Sequence, residues 1–149
     1  MKKWFFAILL STILIVQANP IVKGKWTGYI VQDYQDKQNA QYFPCTLTIE
    51  DITDNGNVAA TLEISYNYNG KIYSSKAKCS GKADDKNYTI QLVAENYIFY
   101  DVLPEQAKWC LGNFNAGFYR STSSKKLIIQ GSYNTYCDEK SNLIVLIKQ

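Results

Sequence analysis

The chain of 149 residues contains no histidine and a single arginine, Arg120. Without histidine there is no Ser-His-Asp or Cys-His arrangement, the usual way of activating a hydroxyl or thiol nucleophile. A structural zinc site needs closely spaced ligand pairs, yet the nearest two of the four cysteines, Cys110 and Cys137, lie far apart in sequence, so no metal and no other cofactor is expected. One arginine and singly scattered lysines leave no basic stripe, which argues against nucleic acid as a partner. A sustained 3.6-residue hydrophobic period is also missing, as are internal repeats and low-complexity tracts. Helical bundles, solenoids and long linkers are thereby set aside.

The one long apolar run stands at the start of the chain. Trp4 to Val16 follows Lys2 and Lys3 and ends at Val16-Gln17-Ala18, the layout of a cleavable secretory signal over residues 1–18. The run is shorter than the ~20 residues a membrane-spanning helix needs, and no cysteine follows the cleavage site to carry a lipid. A soluble, secreted or periplasmic, monomeric product with no membrane span is expected, comprising residues 19–149 as a single domain. A chain of that length buries about two thirds of its unfolded surface in one core. Loss of Lys2 and Lys3 lowers the formal charge from +3 to +1, so the apparent basicity belongs mostly to the signal.

What remains reads as short alternating segments separated by turn residues. Eight strands are expected: 25–31, 43–51, 57–68, 71–80, 87–95, 108–120, 125–133 and 143–148. In the second, Phe43, Cys45, Leu47 and Ile49 share one face; in the third, Val58, Ala60, Leu62 and Ile64 do so. Asn69-Gly70 is a type I′ hairpin turn into the fourth strand, and Asp54-Asn55-Gly56 and Ala83-Asp84-Asp85 mark further turns. The fold class is all-β: an eight-stranded antiparallel up-and-down β-barrel, whose closure removes exposed edges, with a β-sandwich as the alternative.

Up-and-down order gives the barrel two unlike ends. The connections after the second, fourth and sixth strands are short and polar, whereas 32–42, 96–107 and 134–142 gather at the other end with the Asn69-Gly70 turn. Long loops at one end frame a mouth. Tyrosines crowd there too, and Tyr66, Tyr68, Tyr73, Tyr97 and Tyr100 are the candidate ligand-binding residues because each combines contact area with a hydrogen-bonding tip. Ser75 joins them: Tyr73, Ser75, Ala77 and Cys79 point inward, and their small side chains leave interior volume unless Phe114, Phe118, Ile90 and Leu92 fill it.

An even set of cysteines in an exported chain favours two disulfides. Cys110 and Cys137 fall at the mouth and can meet. The remaining pair, Cys45 and Cys79, fits badly, because the turns set Cys45 opposite Ile64 and Cys79 opposite Ala60, on strands separated by a third.

Gly24-Lys25-Trp26-Thr27-Gly28 at the head of the first strand resembles the opening of the calycin superfamily, above all the lipocalins, with avidin-like barrels second. The resemblance implies that Trp26 closes the barrel floor under a basic side chain stacked on it, for which Arg120 or Lys148 is the candidate. It also implies a small, largely apolar ligand held in the barrel. No Thr-Asp-Tyr-like motif, C-terminal helix or helical lid between the first two strands accompanies it.

The expected function is therefore a non-enzymatic binding module for a small apolar or amphipathic ligand at a tyrosine-rich mouth. A protein-binding or inhibitory module using the same loops is the alternative. A glycoside hydrolase built on Asp101 and Glu105, or on Asp138 and Glu139, is the third reading, and it needs two carboxylates about 5 to 9.5 Å apart.

Overall fold

A computed structural model describes residues 21–105, 107–138 and 140–149 of the chain. The expected signal segment, residues 1–18, lies outside the described residues. Eight antiparallel strands close into one barrel in sequence order: β1 (Gly24–Gln32), β2 (Gln41–Ile52), β3 (Asn57–Tyr68), β4 (Lys71–Asp84), β5 (Thr89–Tyr100), β6 (Gly112–Arg120), β7 (Leu127–Thr135) and β8 (Ser141–Lys148). β1 pairs with β8 to complete the circle, which rules out the sandwich.

The turn chemistry sets the register. Asn69 and Gly70 both adopt positive φ, 51° and 80°, and lock Tyr68 opposite Lys71. From that anchor the alternation carries through the barrel: Cys45 faces Ile64, and Cys79 faces Ala60, as the turn spacing required. The buried inward residues are mostly apolar and the outward ones include Lys25, Lys78, Glu50 and Glu95. This polarity is the reverse of a barrel that turns its outer wall to lipid. Among the described residues no helix is long and apolar enough to cross a membrane.

Three strands depart most from the sequence reading. β4, expected to end at residue 80, continues to Asp84 in register with β5, so the turn expected at Ala83-Asp84-Asp85 begins only at the end of that strand. β5 runs on to Tyr100, so Asn96–Tyr100, expected as loop, is strand; the pairing with β4 steps over Glu95 and Ile98, two bulges that break the period-2 pattern. β6 starts only at Gly112, leaving 108–111 in the connection. β5 and β6 consequently pair only over Thr89–Val93 and Asn113–Gly117, and among the described residues no strand pairs with Ala94–Tyr100 on that flank. Residues 101–105 and 107–111 belong to the connection that joins the two strands at this end.

The floor is built around Trp26, which is fully buried. Its indole Nε1 donates to the Val22 carbonyl at 2.8 Å, so the segment before β1 folds underneath the ring. The Lys148 ammonium stands 5.7 Å from the ring centroid and donates to the Ile21 carbonyl at 2.5 Å. Arg120, named as an alternative for this place, is instead turned away: its Nη1 donates to the Lys125 carbonyl at 2.7 Å within the β6–β7 turn. Register explains the choice, because Lys148 is directly paired with Trp26 across β1 and β8, whereas Arg120 pairs with Leu127. Gly28 has its own cause: a Cβ there would lie 2.0 Å from the Val145 carbonyl oxygen, so the β1–β8 closure admits no side chain.

Above the floor Leu47, Ile49, Ile90, Leu92, Ile129, Ile144 and Leu146 are all essentially inaccessible to solvent. The lower half of the barrel is solid. Phe114 and Phe118 belong to the same buried cluster as the small inward residues Ala77 and Cys79 of β4, so large and small side chains share the interior.

Candidate functional site

The packing ends at the level of Ile30, Ile64 and Tyr133. Above them a pocket of about 410 Å³ opens at the mouth, within the range of small-molecule sites. Its walls come from inward positions near the upper ends of the strands: Ile30 and Gln32 on β1, Gln41 and Phe43 on β2, Ile64 and Tyr66 on β3, Tyr133 and Thr135 on β7, and Asn142 on β8. Its cover is the β5–β6 connection, which contributes Leu103, Ala107, Lys108, Trp109 and Cys110.

That cover is tied down at several points. Trp109 Nε1 donates to the Asp101 carbonyl at 2.8 Å, the Ser74 amide donates to Asp101 Oδ2 at 2.8 Å, and the Tyr68 hydroxyl donates to Glu105 Oε1 at 2.6 Å. A disulfide joins Cys110 to Cys137, with Cα atoms 5.7 Å apart, and pins the cover to the β7–β8 connection. The Tyr133 hydroxyl reaches up to the Cys110 carbonyl at 3.2 Å. On the far rim Lys140 bridges to Asp33 at 3.1 Å and links the β7–β8 and β1–β2 connections.

The expected ligand residues are divided by this geometry. Tyr66 lines the pocket, its ring 5.8 Å from Phe43 and stacked at 6.2 Å on Tyr68, which forms a short aromatic run along the rim. Tyr68 is engaged with Glu105, and the adjoining carboxylate raises its hydroxyl above the ordinary tyrosine pKa. Tyr73 sits under the Lys71 ammonium at 4.8 Å. Tyr97 and Tyr100 pack against each other at 5.3 Å on β5; Tyr100 is exposed, but the Tyr97 hydroxyl is buried without a hydrogen-bond partner. Desolvation pushes the Tyr97 hydroxyl up to about 12, so it stays protonated at neutral pH. Ser75 is buried on β4 beneath Tyr73 and is not part of the pocket wall.

Other lining residues carried weaker signals. Asn142 follows from the alternation: Ile144 and Leu146 face inward on β8, so extending that strand two residues upward puts Asn142 inside, directly opposite Tyr133. It is only 6% exposed, and its Oδ1 has no hydrogen-bond partner. Trp109 had no such signal, because it belongs to an irregular segment held by the disulfide and by Asp101.

The second expected disulfide does not form. Cys45 and Cys79 are free and buried, since β3 stands between their strands. Burial raises both thiols to about 12, which removes the thiolate that nucleophilic or metal chemistry requires. The expected carboxylate pairs fare little better. Asp101 accepts from the Ser74 amide, Glu105 from Tyr68, and Asp138 from the Thr135 hydroxyl, so each serves the closure of its own loop. Glu139 lies outside the described residues. Among the described residues no group of three or more His, Cys, Asp or Glu side chains is arranged to hold a metal ion.

Fold and geometry define an eight-stranded up-and-down barrel with a packed floor and a covered mouth pocket. No protein-family model matches the chain, and neither a curated protein nor a solved structure matches it.

Proposed function

We propose that this protein is an exported, calycin-like binding module that holds a small apolar or amphipathic ligand in the mouth of its barrel. The observation that carries the reading is the pocket itself: about 410 Å³ walled by Ile30, Phe43, Ile64, Tyr66 and Trp109, with a buried, unpartnered carboxamide at Asn142. Apolar walls with a few convergent polar atoms are the usual make-up of a small-molecule site. The Cys110–Cys137 disulfide is consistent with an extracellular or periplasmic location. Trp26 under Lys148 at the closed end supports the kinship with calycin barrels suggested by Gly24-Lys25-Trp26. The protein acts by binding rather than catalysis, and no cofactor takes part.

Native mass spectrometry of protein purified from its own source tests the proposal. A retained small molecule that is lost on mild denaturation is the expected result, and addition of the same molecule should perturb the emission of Trp109. A bare protein whose emission responds to no apolar or amphipathic compound overturns it.

A protein-binding role has one specific observation in its favour. Ile72, Ile98, Phe99, Tyr100 and Val102 are exposed around the upper part of β4 and β5, beside the flank of β5 that no strand covers. If a partner uses this flank, Phe99→Lys abolishes the interaction and leaves ligand retention unchanged.

A further inference from the structure

The pocket distinguishes between ligand headgroups, and this inference rests on the ligand-binding reading above. Its most deeply buried lining residues are uncharged: Ile30, Tyr133 and, paired with Tyr133 across β7 and β8, Asn142, whose Oδ1 is unpartnered on a residue only 6% exposed. Tyr133 does not satisfy it, since its hydroxyl already donates to the Cys110 carbonyl. Among the described residues the one cation lining the pocket, Lys108, belongs to the cover and is exposed, and the lining carboxylate Asp138 is exposed as well. A carboxylate driven to the inner end would lose its hydration against isoleucine and tyrosine with no cation to compensate. A cationic head meets the same penalty, since among the described residues no carboxylate is buried there. A hydroxyl or amide meets none, because it exchanges water for the carboxamide of Asn142, which itself gains a partner it otherwise lacks.

We infer that the mouth pocket takes a neutral amphipathic ligand, inserted head first, whose hydroxyl or amide group bonds to Asn142 while its apolar body lies between Phe43, Tyr66 and Trp109. The class comprises long-chain alcohols, their monoacyl relatives and hydroxylated polycyclic hydrocarbons, as distinct from fatty acids and alkyl amines.

The test is displacement of the neutral fluorophore N-phenyl-1-naphthylamine from the oxidised protein by three ligands of equal chain length: 1-decanol, decanoate and decyltrimethylammonium, at pH 8. Decanol should displace the dye at roughly tenfold lower concentration than either ion, the size expected when one hydrogen bond to a buried polar group decides the match. Asn142→Leu, close in volume, should keep the dye but bring decanol to within about twofold of its value for a simple alkane of equal length. Equal or tighter binding of decanoate in the unaltered protein overturns the inference without needing any variant, and points to a tail-first ligand with its head at Lys108. An undiminished preference for decanol in Asn142→Leu overturns it too. If the unaltered protein fails to bind the dye, and no decyl compound alters Trp109 emission, the pocket reading itself has failed.

Discussion

The two halves of this barrel are built from the same alternating strands and do opposite things with their interiors. Below the level of Ile30 the inward positions carry Trp26, Leu47, Ile49, Ile90, Leu92, Ile129 and Leu146, none measurably exposed beyond 2%. Above that level Gln32, Gln41, Tyr66, Thr135 and Asn142 line a pocket of about 410 Å³ that is open to solvent. The lower connections are short and self-satisfied, as when Asp84 accepts from the Asn87 side-chain carboxamide and from the Asn87 and Lys86 backbone amides, which lowers its pKa. The upper connections are long and held by distant ties: a disulfide, an ion pair and side-chain hydrogen bonds. On the proposed function, the difference means that stability and binding are segregated along the barrel axis, with the buried unpaired polar atoms near the mouth supported by dense packing at the floor.

Removing the floor is the strongest challenge to that division. Trp26→Ala takes away a fully buried indole and its bond to Val22, and should lower unfolding free energy by about 3–5 kcal/mol, a large share of a typical domain's stability. Urea denaturation measures it. Below its lowered melting temperature the variant should still bind the mouth dye as the unaltered protein does. Loss of binding in the fully folded variant would show that the halves are coupled, and a cost under about 1 kcal/mol would show that the floor is not where stability resides.

The converse experiment acts on the mouth. Cys110→Ser with Cys137→Ser opens a loop closed across 27 residues, and the chain-entropy relation assigns that closure about 3 to 4 kcal/mol. Both cysteines also line the pocket, so binding should weaken together with stability, unlike the Trp26 variant. Calorimetry alongside dye titration distinguishes the two outcomes. A destabilised protein with unchanged affinity would mean that the cover is positioned by Trp109, Tyr68 and Asp101 alone.

The same segregation governs how far the sequence discloses the molecule. The lower half obeys period 2 and is punctuated by turns that fix register, which is why the opposition of Cys45 to Ile64 and of Cys79 to Ala60 can be read without coordinates. That register already argued against joining these two cysteines, and only the habit of pairing an even number favoured it. The mouth obeys no such rule. Bulges at Glu95 and Ile98 interrupt the alternation of β5, so Asn96–Tyr100 looks like loop while its backbone pairs with β4. Tyrosine density marks the end of the barrel at which this pocket opens, yet of the tyrosines singled out only Tyr66 lines it. Asn142 was within reach of the alternation of β8, whereas the location of Trp109 depends on a cross-link and a carbonyl that no local pattern encodes.

The smallest effect bears on the floor's finish. Lys148 and Arg120 are each a basic residue at the lower rim, and only Lys148 stands over Trp26, at 5.7 Å, with its ammonium also bonded to Ile21. Lys148→Met keeps the aliphatic stem and removes the charge, and should cost about 0.5–1 kcal/mol, the size of a cation–π contact near the surface. Arg120→Met removes one bond to a solvent-exposed turn carbonyl and should remain within about 0.5 kcal/mol of the unaltered protein. Paired thermal melts resolve that order. Were Arg120→Met the costlier change, the stacking partner of Trp26 would have to be reassigned and the register of β8 against β1 with it, since the pairing of Trp26 with Lys148 is what brings that ammonium over the ring.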